Sequence, residues 1–314
     1  LIGRYSITPD MLWEILFHGD DPLSEEVEAA SLVLFEARIA RIAAAVLIGA
    51  ALSAAGASYQ GIFRNPMVSP DILGAATGAS FGAALAILFG ASALMIQVSA
   101  FCFGLAAVAA AYFASSVLTR QSGGATLTLV LTGMVVSALF SAFISIVKFV
   151  GDPYDTLPTI TFWLMGGLTY VTKGDLFIML IPFAAGMIPL LLLRWRLNIL
   201  SFDDEEASSL GVDTKKTRVV IILCATLMSS SAVAVGGMIG WVGLIVPHIA
   251  RMLTGPDYSR MLPCSMLTGG LFLLIVDDIA RCLFAQEIPL GVLTAIIGAP
   301  FFLYLMFRGK KSFI

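Results

Sequence analysis

Long apolar stretches broken by short polar ones run the whole length of this sequence. Nine of them, 42–62, 72–90, 93–118, 126–150, 176–193, 217–236, 239–253, 263–284 and 289–307, approach or exceed the about 20 residues a helix needs to cross a bilayer; 239–253 is the shortest. The runs are continuous rather than alternating, which argues against a transmembrane β-barrel. The pattern predicts an all-α, polytopic membrane protein, a single domain over 1–314 with no linker. Three stretches stay polar: an acidic segment at 1–36, a proline-broken stretch at 151–170 and a charged connection at 201–218.

Composition strengthens this reading. Of the 314 residues 59% are hydrophobic and 12% charged, about half the charged share of a soluble domain. Cys102, Cys224, Cys264 and Cys282 stand singly in or beside apolar runs, as small buried hydrophobes do. With only His18 and His248 available, a histidine-built metal centre is not expected. There is no HExxH, no GxxxxGK[ST] phosphate loop and no serine matched to a histidine, so no enzyme activity, bound cofactor or nucleic-acid site is expected. If Arg308, Lys310 and Lys311 are cytoplasmic, alternation brings Arg64, Arg120, Arg194, Arg196, Lys215, Lys216, Arg218, Arg251 and Arg260 to the same side. The opposite face keeps half as many, among them Arg38, Arg41, Lys148, Lys173 and Arg281, which fits the positive-inside rule. Leu1 then lies outside, and the reading expects a true N-terminus, with a first helix, beyond it.

Several polar clusters interrupt the apolar background. In 240–251, GWVGLIVPHIAR, Gly240, Gly243, Pro247, His248 and Arg251 sit where lipid would tolerate little of the kind, so this run should pack against protein or line a path. In FRNPMVSPD, 63–71, Pro66 and Pro70 forbid a continuous helix and predict a turn or re-entrant kink, a candidate pore constriction. Asp203 to Glu206 should open a short helix that ends at Gly211 and projects as a docking element. Asp277 and Arg281, spaced i,i+4, predict either an intrahelical pair or a site shared with Arg38 and Arg41. The 151–170 stretch should hold a short helix along the outer surface. Gly74, Gly78 and Gly82 recur every four positions and leave one helix face bare for close packing, while Gly236 and Gly237 mark a tight turn or close approach.

These residues resemble the FecCD-type permeases of bacterial and archaeal ABC importers, the group that includes the vitamin B12 permease. The likeness covers nearly the whole chain, through Arg38–Arg41, 49–74, WLMGGL at 163–168, EEASSLG at 205–211, 240–251, DIAR at 278–281 and 287–302. It implies ten helices per subunit, nine of them in this chain. It further implies a second permease subunit, identical or a paralogue, two cytoplasmic ATP-binding subunits that hold ATP and Mg, and an external substrate-binding protein. On that resemblance Asp204, Glu205, Glu206, Ala207, Leu210 and Gly211 form the helix seated in the ATPase, and Asn65, Pro66 and Met67 close the cytoplasmic gate together with Thr126 and Leu127. Arg38, Arg41 and Arg281 receive acidic residues of the binding protein, although Ala40 replaces the proline usual between the first two. The cargo expected is a ferric siderophore, haem or corrinoid; a molybdate or tungstate importer of the same fold is the alternative. An ion-coupled secondary transporter is the remote one, disfavoured by the scarcity of mid-span carboxylates. The location expected is the inner or plasma membrane, with the C-terminus cytoplasmic.

Overall fold

A computed structural model describes residues 5–17, 24–122, 125–283 and 286–309. His18, Asp20, Asp21, Lys310 and Lys311 lie outside the described residues, as does Arg4. Thirteen α-helices follow one another, and no strand occurs among the described residues. They are α1 (Pro9–Phe17), α2 (Glu25–Leu32), α3 (Ile39–Phe63), α4 (Ala75–Leu88), α5 (Ala93–Ser122), α6 (Ala125–Val150), α7 (Thr156–Met165), α8 (Lys173–Leu200), α9 (Asp204–Ser209), α10 (Thr214–Gly236), α11 (Val242–Thr254), α12 (Tyr258–Cys282) and α13 (Leu290–Gly309). Each predicted span coincides with a helix. Six helical segments are long and apolar enough to cross a membrane, and the polytopic all-α class stands.

Three of the nine predicted spans are not among these six: α4, α11 and α13, whose apolar stretch is Leu290–Leu305. α4 has 14 residues and α11 has 13, about 20 Å at 1.5 Å per residue against a hydrocarbon core of about 30 Å. The acidic segment before residue 36 does not stop short of the first span either. A π-helical turn at Val33–Arg38 joins α2 to α3 without a break, so one helical rod runs over Glu25–Phe63.

α3 is the axis of the molecule. Every residue from Ile48 to Phe63 is buried, and α8, α10, α11 and α12 pack around it. A helix buried on all sides needs no polar face, and the Ala/Gly/Ser sequence of this one makes it thin. A Cβ at Gly49 would stand 2.1 Å from the Gly269 carbonyl oxygen of α12, and one at Gly56 1.8 Å from that of Gly243 in α11. Backbone therefore meets backbone at both points, the close approach that small residues permit between membrane helices. Of the Gly74/Gly78/Gly82 repeat the last two work likewise within the bundle, while Gly74, at φ 85°, precedes α4 and faces Ser137 of α6. Gly78 faces Phe103 and Ala107 of α5, and Gly82 faces Ser99.

Candidate functional site

Polar side chains collect at the two ends of the bundle. At one end α3 stops because Arg64 turns left-handed (φ 50°), with its N–H on Gly61 O and that of Asn65 on Gln60 O. A non-glycine residue rarely takes this conformation. Here the turn directs the Arg64 guanidinium into the connection after α8: it donates to Leu200 O at 3.0 Å, Asp203 Oδ1 at 2.8 Å, Asp204 Oδ1 at 3.2 Å and the Phe202 carbonyl. Arg218, one turn into α10, grips Asp204 from the other side at 2.6 and 3.1 Å. Asp204 thus ties α9 to the end of α3 and the start of α10.

α9 itself is a small stage. Ala207 is buried beneath it, while Glu205, Glu206 and Leu210 face outward, Leu210 60% exposed. Its acidic first turn sits where the helix dipole favours negative charge. As expected, Gly211 ends it at φ 80°, with Gly211 N–H on Ser208 O and Val212 N–H on Ala207 O, the glycine-dependent C-terminal motif. Asp213 then caps α10 by accepting from Lys216 N–H, which holds its carboxyl below the usual carboxylate range.

The loop beside this stage is tied to α11. Asn65 Oδ1 accepts from Met67 N–H at 2.9 Å, an Asx turn, and a 3-10 turn at Pro70–Leu73 leads into α4. His248 Nε2 donates to Pro66 O at 2.9 Å. Gln60 Nε2 reaches Val68 O and Leu244 O at 3.4 and 3.3 Å, and Arg251 Nη2 reaches Gln60 Oε1 at 3.4 Å. His248, Arg251, Asn65 and Pro66 are thereby brought together. Met67 is 53% exposed, and Leu127, in the first turn of α6 beside half-buried Thr126, is also exposed.

α11 carries two features that follow from its prolines and glycines. Pro247 has no N–H to give the carbonyl four residues earlier, and that carbonyl, of Gly243, is the one pressed against Gly56. Upstream, Val242 N–H donates to Gly240 O across Trp241, which is held at φ 70° and ψ −33°. This is a strained three-residue turn for an aromatic residue. No pattern in the sequence marks Trp241 or Arg64 as left-handed; only the neighbouring glycines hint at a turn.

At the opposite end Arg41 is the hub. Its Nε and Nη2 bind Asp277 at 2.8–3.0 Å, and its Nη1 binds Glu287 at 2.9 Å. Asp277 is fully buried and also meets Arg281 at 3.5 Å, and Arg281 pairs with Asp278. Thr169, after α7, donates to Glu287 at 2.8 Å. The i,i+4 pair forms, and of the wider site expected with Arg38 and Arg41 only the Arg41 part does. Arg38 stays out of it: 7% exposed, it donates to the Tyr5 carbonyl. The three arginines expected to present charge to a partner are turned inward, Arg41 and Arg281 with side chains 12% and 11% exposed. The reason is electrostatic. A carboxylate with no access to water, such as Asp277, must be paired, and Arg41 and Arg281 are its partners. The short helix expected in 151–170 is α7, joined to α10 and α13 through Gly167 N–H on Gly236 O and Leu290 N–H on Gly166 O.

Comparison with known proteins gives a consistent result. The model of the FecCD transport family matches residues 1–308. The molybdate import system permease protein of Haemophilus influenzae is 40% identical over 99% of this chain and 91% of its own length. A probable iron chelatin transport system permease of Helicobacter pylori is 40% identical over 91% of this chain and 86% of that one. The cobalamin import system permease of Halobacterium salinarum is 39% identical over 89% and 74%. Among solved structures, an inward-facing conformation of a transporter assigned to the metal-chelate ABC type superposes with a TM-score of 0.83 at 40% identity, over 92% of this chain and 91% of that one. A family match over residues 1–308, with relatives 40% identical over nearly the whole sequence, places this chain in the FecCD transport family of ABC importer permeases.

Proposed function

We propose that this permease carries a metal chelate (a ferric siderophore, haem or a corrinoid) from an external binding protein to the cytoplasm by alternating access. The observation that carries the reading is the 0.83 TM-score fit to a metal-chelate type transporter at 40% identity. In this reading the Arg64 end is cytoplasmic and the Arg41 end external, the C-terminus lies inside, and a second permease, two ATP-binding subunits and the binding protein complete the machine. α9 offers Glu205, Glu206 and Leu210 to the ATPase. Its displacement reaches α3 and α10 through Asp204, and the Asn65–Met67 loop moves with α11 through His248 and Gln60. Two rigid sets of helices rocking about such contacts is one way packed interiors switch. Arg41 and Arg281 shape the external face by joining α3 to α12 through Asp277, and Arg38 holds the backbone at Tyr5.

Molybdate or a related oxyanion is the second reading, favoured by the Haemophilus influenzae relative, which is as similar and covers more of the chain. Uptake into proteoliposomes that hold this chain with the ATPase and binding protein encoded beside it separates the two. ATP-dependent accumulation of a chelate and not of molybdate is expected. Accumulation of molybdate alone selects the oxyanion, and transport driven by an ion gradient without the ATPase overturns both. Charge reversal of Glu205 with Glu206, or Gly211→Pro, should uncouple ATP hydrolysis from uptake in protein that still inserts. Unchanged coupling would remove α9 as the docking element.

A further inference from the structure

A cavity of about 620 Å³ opens at the Arg41 end, between the starts of α5 and α8, the helix α7 and the end of α10. Its size lies within the range of small-molecule sites. Its aromatic rings and its one carboxylate are the groups that favour a cation. Phe162, Trp163 and Tyr170 supply aromatic rings, and Asp175 supplies a carboxylate. The last turn of α10, Ala234 to Gly236, brings a negative helix pole to the wall, against the positive poles of α5 and α8, the second of which Asp175 offsets as the capping-box residue of α8. No Lys or Arg is among the lining residues. Gln97 orients that carboxylate: its Nε2 donates to Asp175 Oδ1 at 2.7 Å. Asp175 is itself held by Thr172 N–H and Oγ–H at 2.7 and 2.8 Å, so its carboxylate is set in place before any ligand arrives.

We propose that this cavity is a binding site for an organic cation with hydrogen-bond donors, an ammonium or guanidinium on an apolar stem. The head is drawn to Asp175 and the stem lies on Trp163 and Phe162, where the aromatic faces favour a cation further. The site rests on its own geometry and is independent of the cargo. Two sources share this chemistry: a free amine, and a Lys or Arg side chain of the external partner.

The test uses the intact chain in lipid nanodiscs, phenethylammonium as probe and the isosteric 2-phenylethanol as neutral control, read by calorimetry. Saturable binding of the ammonium and not of the alcohol is expected. Trp163→Leu should weaken it at least about tenfold. Asp175→Asn should bring ammonium binding down to the level of the alcohol while leaving the weak binding of the alcohol unchanged, an effect that a damaged fold does not mimic. If the probe also displaces the binding protein encoded beside this chain, the natural occupant is a side chain of that partner; if association is untouched, it is a free amine. Equal binding of ammonium and alcohol to the unaltered chain, or an affinity indifferent to Asp175→Asn, overturns the site.

Discussion

The two ends of this bundle are both fastened by arginine and carboxylate, yet by opposite physical means. At the Arg41 end the acceptor Asp277 has no exposure at all, and two arginines close over it. At the Arg64 end the acceptor Asp204 is 53% exposed and two arginines share it in contact with water. Removing one partner of a buried pair leaves an uncompensated charge and costs about 3–5 kcal/mol, whereas an exposed pair contributes about 0–1 kcal/mol and weakens with salt. The first arrangement locks helices that must not part, and the second lets α9 be pushed, pulled and reset.

The largest effect expected is therefore at Arg41. Arg41→Ala should lower unfolding stability in detergent by about 3–5 kcal/mol. The double change Arg41→Met with Asp277→Leu should recover part of it, since the fully buried carboxylate is gone while Arg281 keeps Asp278 and Glu287 keeps Thr169. A loss below about 1 kcal/mol would make the two ends alike. Next comes the contact between the ends. Gly243→Ala puts a methyl group 2.6 Å from Leu52 O and closer still to the Pro70 ring, and should cost about 1–3 kcal/mol by overpacking; an unchanged unfolding midpoint would show that α11 is loosely held. Asp204→Ala should shift stability by no more than about 1 kcal/mol while lowering ATP-coupled uptake severalfold. A stability loss as large as that of Arg41→Ala would sink the contrast. The smallest effect is at Asp213. Its carboxyl is held low in the folded chain by the Lys216 N–H, so the stability it adds is full above the unfolded value of about 3.9 and is lost as pH falls through the lower folded value. Wild type and Asp213→Ala should differ in midpoint at pH 7 and converge in strong acid.

Much of this was legible in the chain. Each apolar run became a helix because twenty apolar residues have few other ways to satisfy their backbone in lipid. Gly211 ended α9 because a left-handed residue is cheapest as glycine. Length is what misled. The stretches at 72–90 and 239–253 look like spans by hydropathy, yet Pro70 and the Gly240–Trp241 turn shorten the helices to 14 and 13 residues. The acidic prefix of α3 looked like a separate segment because charge, not backbone geometry, changes there. The partners at the ends were the least legible. Arg41 lies 236 residues before Asp277, and no local period connects them. Arg64 has no neighbour that announces a left-handed turn.

The missing N–H of Pro247 has a consequence for how this sequence can vary. Pro247 frees the Gly243 carbonyl, that oxygen occupies the space a side chain at Gly56 would need, and Gly243 in turn fits under Pro70. These four positions, on three separate segments, form one unit of inheritance. A substitution at any of them is tolerated only with compensation at another, so a survey of functional variants should find the four changing together or not at all.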